Sequence, residues 1–511
     1  MYRIFGPPGT GKTTSLLNKV DDALQRGTQP NRIAFLAFTR KAAEEARERA
    51  AERFKLDPKK DLMYFRTLHS LALTLSDIST DQVMQTENYL ELSRGMGVQL
   101  SVGRSPSFND DLPDILKAND PILAIINLAR IRKVDLRQQY NSSQMEIEWN
   151  IVNHVDKSLK NYKKNMCMFD FTDMLEKFVT ESHNWCPTFD LCFVDEAQDL
   201  SPMQWDIAHL LDQKSDRMYI AGDDDQAIYR WAGADVDTFI NLDGPSETLT
   251  QSYRIPFKVH QLAERVVKRI NRRVVKAYEP KNDEGSVQYR TSVDDIDLSD
   301  GSWLILAQAA YQLQPIADSL RSFGYLFSFR GSRSISEKIS DAVNGWEQLR
   351  KGEKVTGKTA RNIYSYMSAK ETMRSSQHVA KGFKTIPGLE DADMVNIQDL
   401  FVNHGLLASA EHIWHEAMDR IPERERAYLI ALLRRGEKFN GDPRIVVSTI
   451  HGSKGGEADN VIVFSDLTPA ADKQMRDDPD DIHRVFYVAV TRAKENLFII
   501  DAEDATRSYY L

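Results

Sequence analysis

The chain has 511 residues, with 66 Lys and Arg against 75 Asp and Glu, a formal net charge of −9, and 41% hydrophobic residues. At roughly 150 residues per compact unit this corresponds to about three or four units with room for a large core, and it excludes a disordered, collagen-like or histone-like polycationic chain. No run approaches about 18 consecutive apolar residues, which excludes a membrane-spanning helix. Cys167, Cys186 and Cys192 are too few and too irregular for a disulfide framework or a four-thiolate zinc site, and read as buried thiols in a reducing compartment. The N-terminus lacks a basic stretch followed by an apolar one, so no signal peptide is expected.

Strand and helix alternate over the first 70 residues. Tyr2 to Phe5 reads as a short apolar strand, Lys12 to Arg26 as a helix, Ile33 to Phe38 as a strand covered on both faces, and Arg40 to Arg49 as a second helix. This order implies a doubly wound α/β domain. Helical patterns then dominate, as in Asp114 to Lys133 and Glu146 to Lys164, before strand signals return at Leu191–Val194 and Met218–Ala221. A second set of apolar strands is predicted at Trp303–Ala307, Arg444–Thr449, Asn460–Phe464 and Asn496–Ile500, with another helical block before Gly441-Asp442-Pro443 turns back to the sheet.

Gly6-Pro7-Pro8-Gly9-Thr10-Gly11-Lys12-Thr13 follows a strand and opens a helix, the context that a phosphate-cradling loop requires. Glycines let backbone N–H groups converge on phosphate oxygens, and the helix N-terminus adds positive potential. Lys12 would reach the β- and γ-phosphates and the Thr13 hydroxyl would ligate Mg²⁺. Leu191 to Glu196 is an apolar strand ending in two carboxylates. Asp195 suits the side of Mg²⁺, and Glu196 suits the activation of water.

Val194-Asp195-Glu196-Ala197-Gln198-Asp199 and Gly222-Asp223-Asp224-Asp225-Gln226-Ala227-Ile228-Tyr229-Arg230-Trp231 together resemble superfamily 1 DNA helicases of the UvrD/Rep type. Ala37 to Ala43 resembles the family's motif Ia, Thr67-Leu68-His69-Ser70 motif Ib, and Gln251-Ser252-Tyr253-Arg254 motif IV. Thr449 to Glu457 resembles motif V and Phe486 to Lys494 motif VI, all in the family's order. The resemblance implies two RecA-like P-loop motor domains with parallel sheets, each interrupted by a mainly helical insertion. The first domain would be residues 1–71 and 166–254 with its insertion at 72–165, and the second residues 255–336 and 440–511 with its insertion at 337–439.

The same resemblance implies the roles. ATP with Mg²⁺ would lie between the motor domains, touched by residues 6 to 14 (through Thr14), Arg40 and Glu457, the last at the ribose. Gln226 would sense the γ-phosphate and the attacking water, and Arg254 and Arg492 would act as arginine fingers, a task suited to a planar, permanently charged guanidinium. Single-stranded DNA would meet Phe38, Thr39, Thr67, His69, Tyr229, Trp231, Thr449 and His451, with the two motif III aromatics stacking on bases.

Relatives carry an adenine-reading glutamine upstream of the P-loop; with five residues ahead of Gly6, none is expected here. Ala232 and Gly456 stand where relatives often have Arg and Leu. Arg265, Lys268, Arg269, Arg272, Arg273 and Lys276 recur at helical spacing, and Lys157, Lys160, Lys163 and Lys164 cluster near Tyr162. Each group reads as a solvated helix face or as a phosphate-tracking surface.

The expected activity is an ATP-driven motor moving 3′-to-5′ on single-stranded DNA and unwinding duplex, acting at single-strand/duplex junctions, alone or beside replication or repair proteins. It is expected to be cytoplasmic and nucleoid-associated, to have no membrane contact, and to be monomeric without DNA. The alternatives are a translocase that strips proteins from DNA and needs a partner to unwind, a nucleotide-gated DNA-binding scaffold that does not hydrolyse, and a small-molecule P-loop kinase.

Overall fold

In the computed structural model the described residues are 1–101, 120–143, 146–370 and 376–511. They form two compact units, one of Met1–Ser292, Leu306–Gln308 and Thr449–Leu511, the other of Val293–Ile305 and Ala309–Ser448. The strands are β1 (Tyr2–Phe5), β2 (Ile33–Ala37), β3 (Phe65–Thr67), β4 (Phe189–Val194), β5 (Ser215–Gly222), β6 (Ser246–Thr248), β7 (Ser286–Arg290), β8 (Trp303–Ala307), β9 (Phe327–Phe329), β10 (Ser332–Arg333), β11 (Val355–Thr356), β12 (Met394–Val395), β13 (Ile445–Thr449), β14 (Ala458–Phe464) and β15 (Ala493–Ile500).

In the first unit β3-β2-β4-β5-β1-β6 forms a parallel sheet. Side-chain alternation sorts its residues onto two faces. Ile33, Phe35, Phe193 and Ala221 pack on Leu16, Leu17 and Val20 of the helix Lys12–Gln25 and on Ala46 and Ala50 of the helix Arg40–Phe54. Ala34, Leu36, Cys192, Val194 and Ile220 face the helices Leu68–Leu75, Phe171–Thr180 and Pro202–Gln213. Helices therefore cover both faces, which is why β2 is buried along its whole length. A second parallel ladder of the same unit pairs β14 with β15 and β15 with β7. The α/β class with parallel sheets is thus present as expected.

Helix starts follow local chemistry. Thr39 and Thr67 accept hydrogen bonds from the Ala42 and Ser70 N–H groups, and Asp120 accepts from Ile122 and Leu123 with Pro121 in the first turn. The predicted helix from Asp114 to Lys133 is, in its described part, Pro121–Ile131; residues 114–119 lie outside the described residues. The next long helix runs over Trp149–Met166. On its last turn Lys163 is not a solvated lysine: it bonds Asp170 at 2.6 Å and Asp173 at 2.8 Å. Arg130 joins the same carboxylates, reaching Asp170 at 2.8 Å, Asp173 at 2.5 Å and Glu176 at 2.9 Å. Cys186 and Cys192 are buried, but Cys167, which ends that helix in left-handed geometry, is exposed.

In the second unit β9 and β10 form a hairpin, and β13 lies parallel to β9. The helices Glu337–Arg350 and Gly357–Ser365 cross so closely that a Cβ at Gly345 would stand 2.3 Å from the Thr359 Cγ2. Tyr428, on the helix Glu423–Arg435, donates to the Tyr325 carbonyl at 2.7 Å. Among the described residues no helix is long and apolar enough to cross a membrane.

Candidate nucleotide and nucleic-acid site

β1 runs into the loop Gly6–Gly11 and then into the helix beginning at Lys12. Gly9 and Gly11 adopt φ of +73° and +77°, the left-handed region that glycine enters without a Cβ penalty. A Cβ at Gly9 would also stand 2.5 Å from the Arg254 Cβ. The Lys12 ammonium folds back over the loop to donate to the Gly6 carbonyl at 3.0 Å. Thr10 Oγ1 donates to the Pro7 carbonyl at 2.7 Å, and the Pro8 carbonyl accepts from Ser252 Oγ at 2.9 Å. Thr14 lies exposed on the first helical turn.

β4 delivers the two carboxylates. Asp195 Oδ2 accepts from Thr13 Oγ1 at 2.6 Å, so a hydroxyl and a carboxylate meet beside the loop, the hard-oxygen set that Mg²⁺ takes. Glu196 has φ +55°, uncommon for a residue with a side chain. Its carboxylate lies 3.6 Å from both the Lys12 and the Lys454 ammonium and accepts from Gln198 Nε2 at 2.6 Å. Burial alone would raise Glu196, but those two cations and the Gln198 amide hold it below the usual carboxylate range. Asp195 moves the other way, raised by burial and by the neighbouring Glu196 charge. Asp199 is pushed up to about 7 by burial, against the opposing pull of Lys454.

Gln226 stands at the centre of the next layer. Its Nε2 donates to Asp223 Oδ2 at 2.7 Å, and its Oε1 accepts from Arg492 Nη2 at 2.9 Å. Arg492 also donates to the carbonyls of Val488 at 3.0 Å and Gly456 at 3.3 Å. Burial and then the nearby Arg254 push the Arg492 guanidinium down to about 9, which leaves it charged at neutral pH. Arg254 Nε donates to Glu457 Oε2 at 2.6 Å, and Lys494 reaches the other Glu457 oxygen at 3.1 Å. Residues quoted from opposite ends of the sequence thus surround the loop. Arg40 instead lies exposed, lining a 300 Å³ pocket with Arg47, Arg66 and His69.

The proposed strand-binding residues divide by environment. The Tyr229 ring is buried, stacks on Phe38 at 5.6 Å, and its hydroxyl donates to the His451 carbonyl at 3.0 Å. Trp231 is 54% exposed and meets the His451 ring edge-on at 5.9 Å. His451 is pushed down to about 4 by burial, so its ring is neutral at physiological pH. Thr39 and Thr67 cap helices, and Thr449 Oγ1 accepts from the Gly452 N–H at 3.1 Å, so all three hydroxyls fix local backbone.

Several residues near the loop have no role in the sequence reading. Lys454 bonds Asp199 Oδ2 and the Gln226 carbonyl and lies over the Tyr229 ring at 5.2 Å. Gln198 bridges Glu196 to the Asp223 N–H, its Oε1 accepting at 3.0 Å. Tyr253 is 75% exposed while its N–H donates to the Gly9 carbonyl at 2.8 Å. A lysine inside a recognised motif and an aromatic between two polar motif residues were the available signals; nothing in the spacing says what they touch.

The basic run from Arg265 to Lys276 does not form one face. The helix is Phe257–Val267, and the residues after it leave the helical path. Arg273 forks onto Asp225 with two 2.7 Å bonds, and Lys276 is 2% exposed among Asp223, Asp224 and Asp225. Internal carboxylates, not phosphate, hold these two cations.

A parallel sheet with a glycine-rich turn between strand and helix, and paired carboxylates at the tip of a neighbouring strand, defines a P-loop nucleoside-triphosphate protein. The UvrD/REP helicase N-terminal domain family matches residues 2–246, and the UvrD-like helicase C-terminal domain family matches residues 444–500. The chain belongs to the UvrD/Rep helicase family. It is 24% identical over 383 residues to the ATP-dependent DNA helicase PcrA of Leuconostoc citreum, covering 71% of this chain and 50% of that protein. It is 26% identical over 293 residues to the PcrA of Bacillus subtilis, covering 54% of this chain and 39% of that one. A probable DNA helicase II homolog of Mycoplasma pneumoniae is 21% identical over 594 residues, covering 97% and 81%. The chain thus spans half or less of the length of these two PcrA relatives.

Proposed function

We propose that this protein is a DNA-stimulated ATPase that moves 3′-to-5′ along single-stranded DNA and unwinds duplex. The observation that carries the reading is that the segments closing on the P-loop also carry the aromatic cluster. Gln226 is three residues from Tyr229, and Lys454 three from His451, while Tyr229 bonds the His451 backbone. A change at the phosphate end therefore reaches the stacking end along a few bonds. A scaffold that never turns over has no use for the full set of Lys12, Glu196, Gln226, Arg254 and Arg492, and a small-molecule kinase has none for the aromatic cluster.

In this reading the loop N–H groups and Lys12 bind the phosphates, and Thr13 and Asp195 would hold Mg²⁺, which would supply positive charge to the phosphate oxygens. Arg254 exchanges Glu457 for phosphate, and Glu457 turns to the ribose. Glu196, kept ionised by Lys12 and Lys454, takes the proton from a water oriented by Gln226. Arg492 and Arg254 stabilise the charge that develops as the water oxygen bonds the γ-phosphorus and the bond to the β–γ bridging oxygen breaks, releasing ADP and inorganic phosphate. Tyr253 offers an exposed ring beside the loop for the base. Single-stranded DNA stacks on Trp231 and runs over Phe38, His69 and His451. The four-part division of the chain into two motor domains and two insertions is part of the same proposal, as is action in DNA repair or replication.

The test is strand displacement with ATP on partial duplexes bearing a 3′ or a 5′ single-stranded tail, with Glu196→Gln run in parallel. Displacement from the 3′-tailed duplex alone, lost in the variant, is the expected result. Displacement from the 5′ tail alone overturns the polarity. DNA-stimulated ATPase without displacement identifies a translocase that needs a partner to unwind, and no turnover at all overturns the motor.

A further inference from the structure

Lys276 is a lysine with almost no exposure that the hydrolytic scheme above leaves unused. Its ammonium reaches Asp224 Oδ1 at 2.5 Å, Asp225 Oδ2 at 2.9 Å, Asp223 Oδ1 at 3.2 Å and the Val274 carbonyl at 3.1 Å. The three carboxylates are not equivalent. Asp225 has the Arg273 fork as well, and Asp224 Oδ2 accepts from the Val274 N–H at 2.7 Å. Asp223 is fully buried and has Lys276 as its one ion-pair partner among the described residues. Its Oδ1 also accepts from the Asp225 N–H at 3.3 Å, and its other oxygen accepts the Gln226 amide at 2.7 Å.

We propose that Lys276 is a positioning residue of the nucleotide site: it fixes Asp223, and Asp223 fixes the Gln226 side chain with its carbonyl oxygen toward Arg492. This deepens the hydrolytic reading and rests on it. A primary amide has two ends of similar shape and opposite hydrogen-bonding sense. With its NH₂ held by a carboxylate, its oxygen is left to accept from the guanidinium, as observed at 2.9 Å. Without the ammonium, Asp223 keeps only the 3.3 Å bond from the Asp225 N–H on that oxygen, its carboxylate shifts with the Gln226 amide, and a small misplacement of a group that orients the reacting water is costly in rate. The ammonium donates to Asp224 and to the Val274 carbonyl and pairs by charge with Asp223 and Asp225; a compact charge suits a point where three carboxylates converge, and a flat guanidinium does not.

The experiment measures ATP turnover at saturating single-stranded DNA for the wild type, Lys276→Met, Arg273→Met, Asp224→Asn and the double variant Lys276→Met/Asp224→Asn. The double variant loses one positive and one negative charge, so the cluster keeps its net charge and the fold is protected if Lys276→Met alone does not fold. Thermal melting is recorded for each. Loss of the Asp223 contact is expected to lower kcat at least about tenfold in both Lys276 variants, with the KM for ATP within about twofold of wild type. Arg273→Met and Asp224→Asn are expected to keep kcat within about threefold while lowering the melting temperature. A double variant that folds and turns over like the wild type overturns the proposal, as does an equal loss of kcat in Arg273→Met, which would make Lys276 a charge balance only. A wild type without DNA-stimulated turnover overturns the hydrolytic reading and this inference with it; wild-type turnover with an unaffected double variant overturns this inference alone.

Discussion

Glu196, the general base of the proposed scheme, has an uncommon backbone conformation, two ammonium groups at 3.6 Å, and a carboxylate held ionised. Glu196→Gln keeps the shape and loses the proton acceptor, so turnover is expected to fall by about 10² to 10⁴ while binding of a fluorescent ATP analogue persists. The two motif III aromatics are expected to part company. Trp231→Ala removes an exposed ring and should weaken single-stranded DNA binding, read by fluorescence anisotropy, by about 1–3 kcal/mol with an unchanged melting temperature. Tyr229→Ala removes a buried ring and its bond to the His451 carbonyl, and should lower the melting temperature as well. The meeting of Thr13 with Asp195 was legible, because Mg²⁺ chemistry asks for a hydroxyl and a carboxylate at those motif positions. The burial of Tyr229 was not, since an aromatic in a loop looks the same whether its face meets a base or Phe38.

At the scale of elements, the ion network of Arg130 and Lys163 fastens the helix Pro121–Ile131 and the end of Trp149–Met166 to the start of Phe171–Thr180. Burial alone would raise the Asp170 carboxyl; Arg130 and then Lys163 outweigh it and hold it down to about 2. A depressed carboxyl stabilises the fold above its unfolded value of about 4 and loses that contribution as pH falls toward the folded value. Arg130→Met is therefore expected to cost up to about 3 kcal/mol in urea unfolding at pH 7, toward the low end for a broken buried pair because Lys163 remains. The gap to wild type should close as pH falls below about 4. The strand was readable here, since the apolar run Ile33 to Phe38 announces a strand covered on both sides; the helix start at Asp120-Pro121 emerges from the structure. The basic run to Lys276 was not, because its spacing continues past Val267 while tertiary carboxylates take over where the helix stops.

For the whole molecule, nucleotide is expected to bind the folded chain and not the unfolded one. At about 100 times its dissociation constant, Mg²⁺ with a non-hydrolysable ATP analogue should add about 2.7 kcal/mol to the unfolding free energy, and Lys12→Ala should abolish the rise in melting temperature. Motif order made the α/β class with parallel sheets legible, since a P-loop, an acidic strand end and later strand signals leave few alternatives. The partners within the site were not legible. Gln226 and Arg492 are separated by 266 positions, and Lys454 and Asp199 by 255, distances over which a single sequence carries no pairing information.

That separation also has a consequence in time. Residues 6 to 14 leave the ribosome well before Arg492. Until Arg492 is made, the nascent chain lacks the guanidinium that reaches Gln226, so under the proposed scheme a chain cut short before it is expected to bind ATP without turning it over.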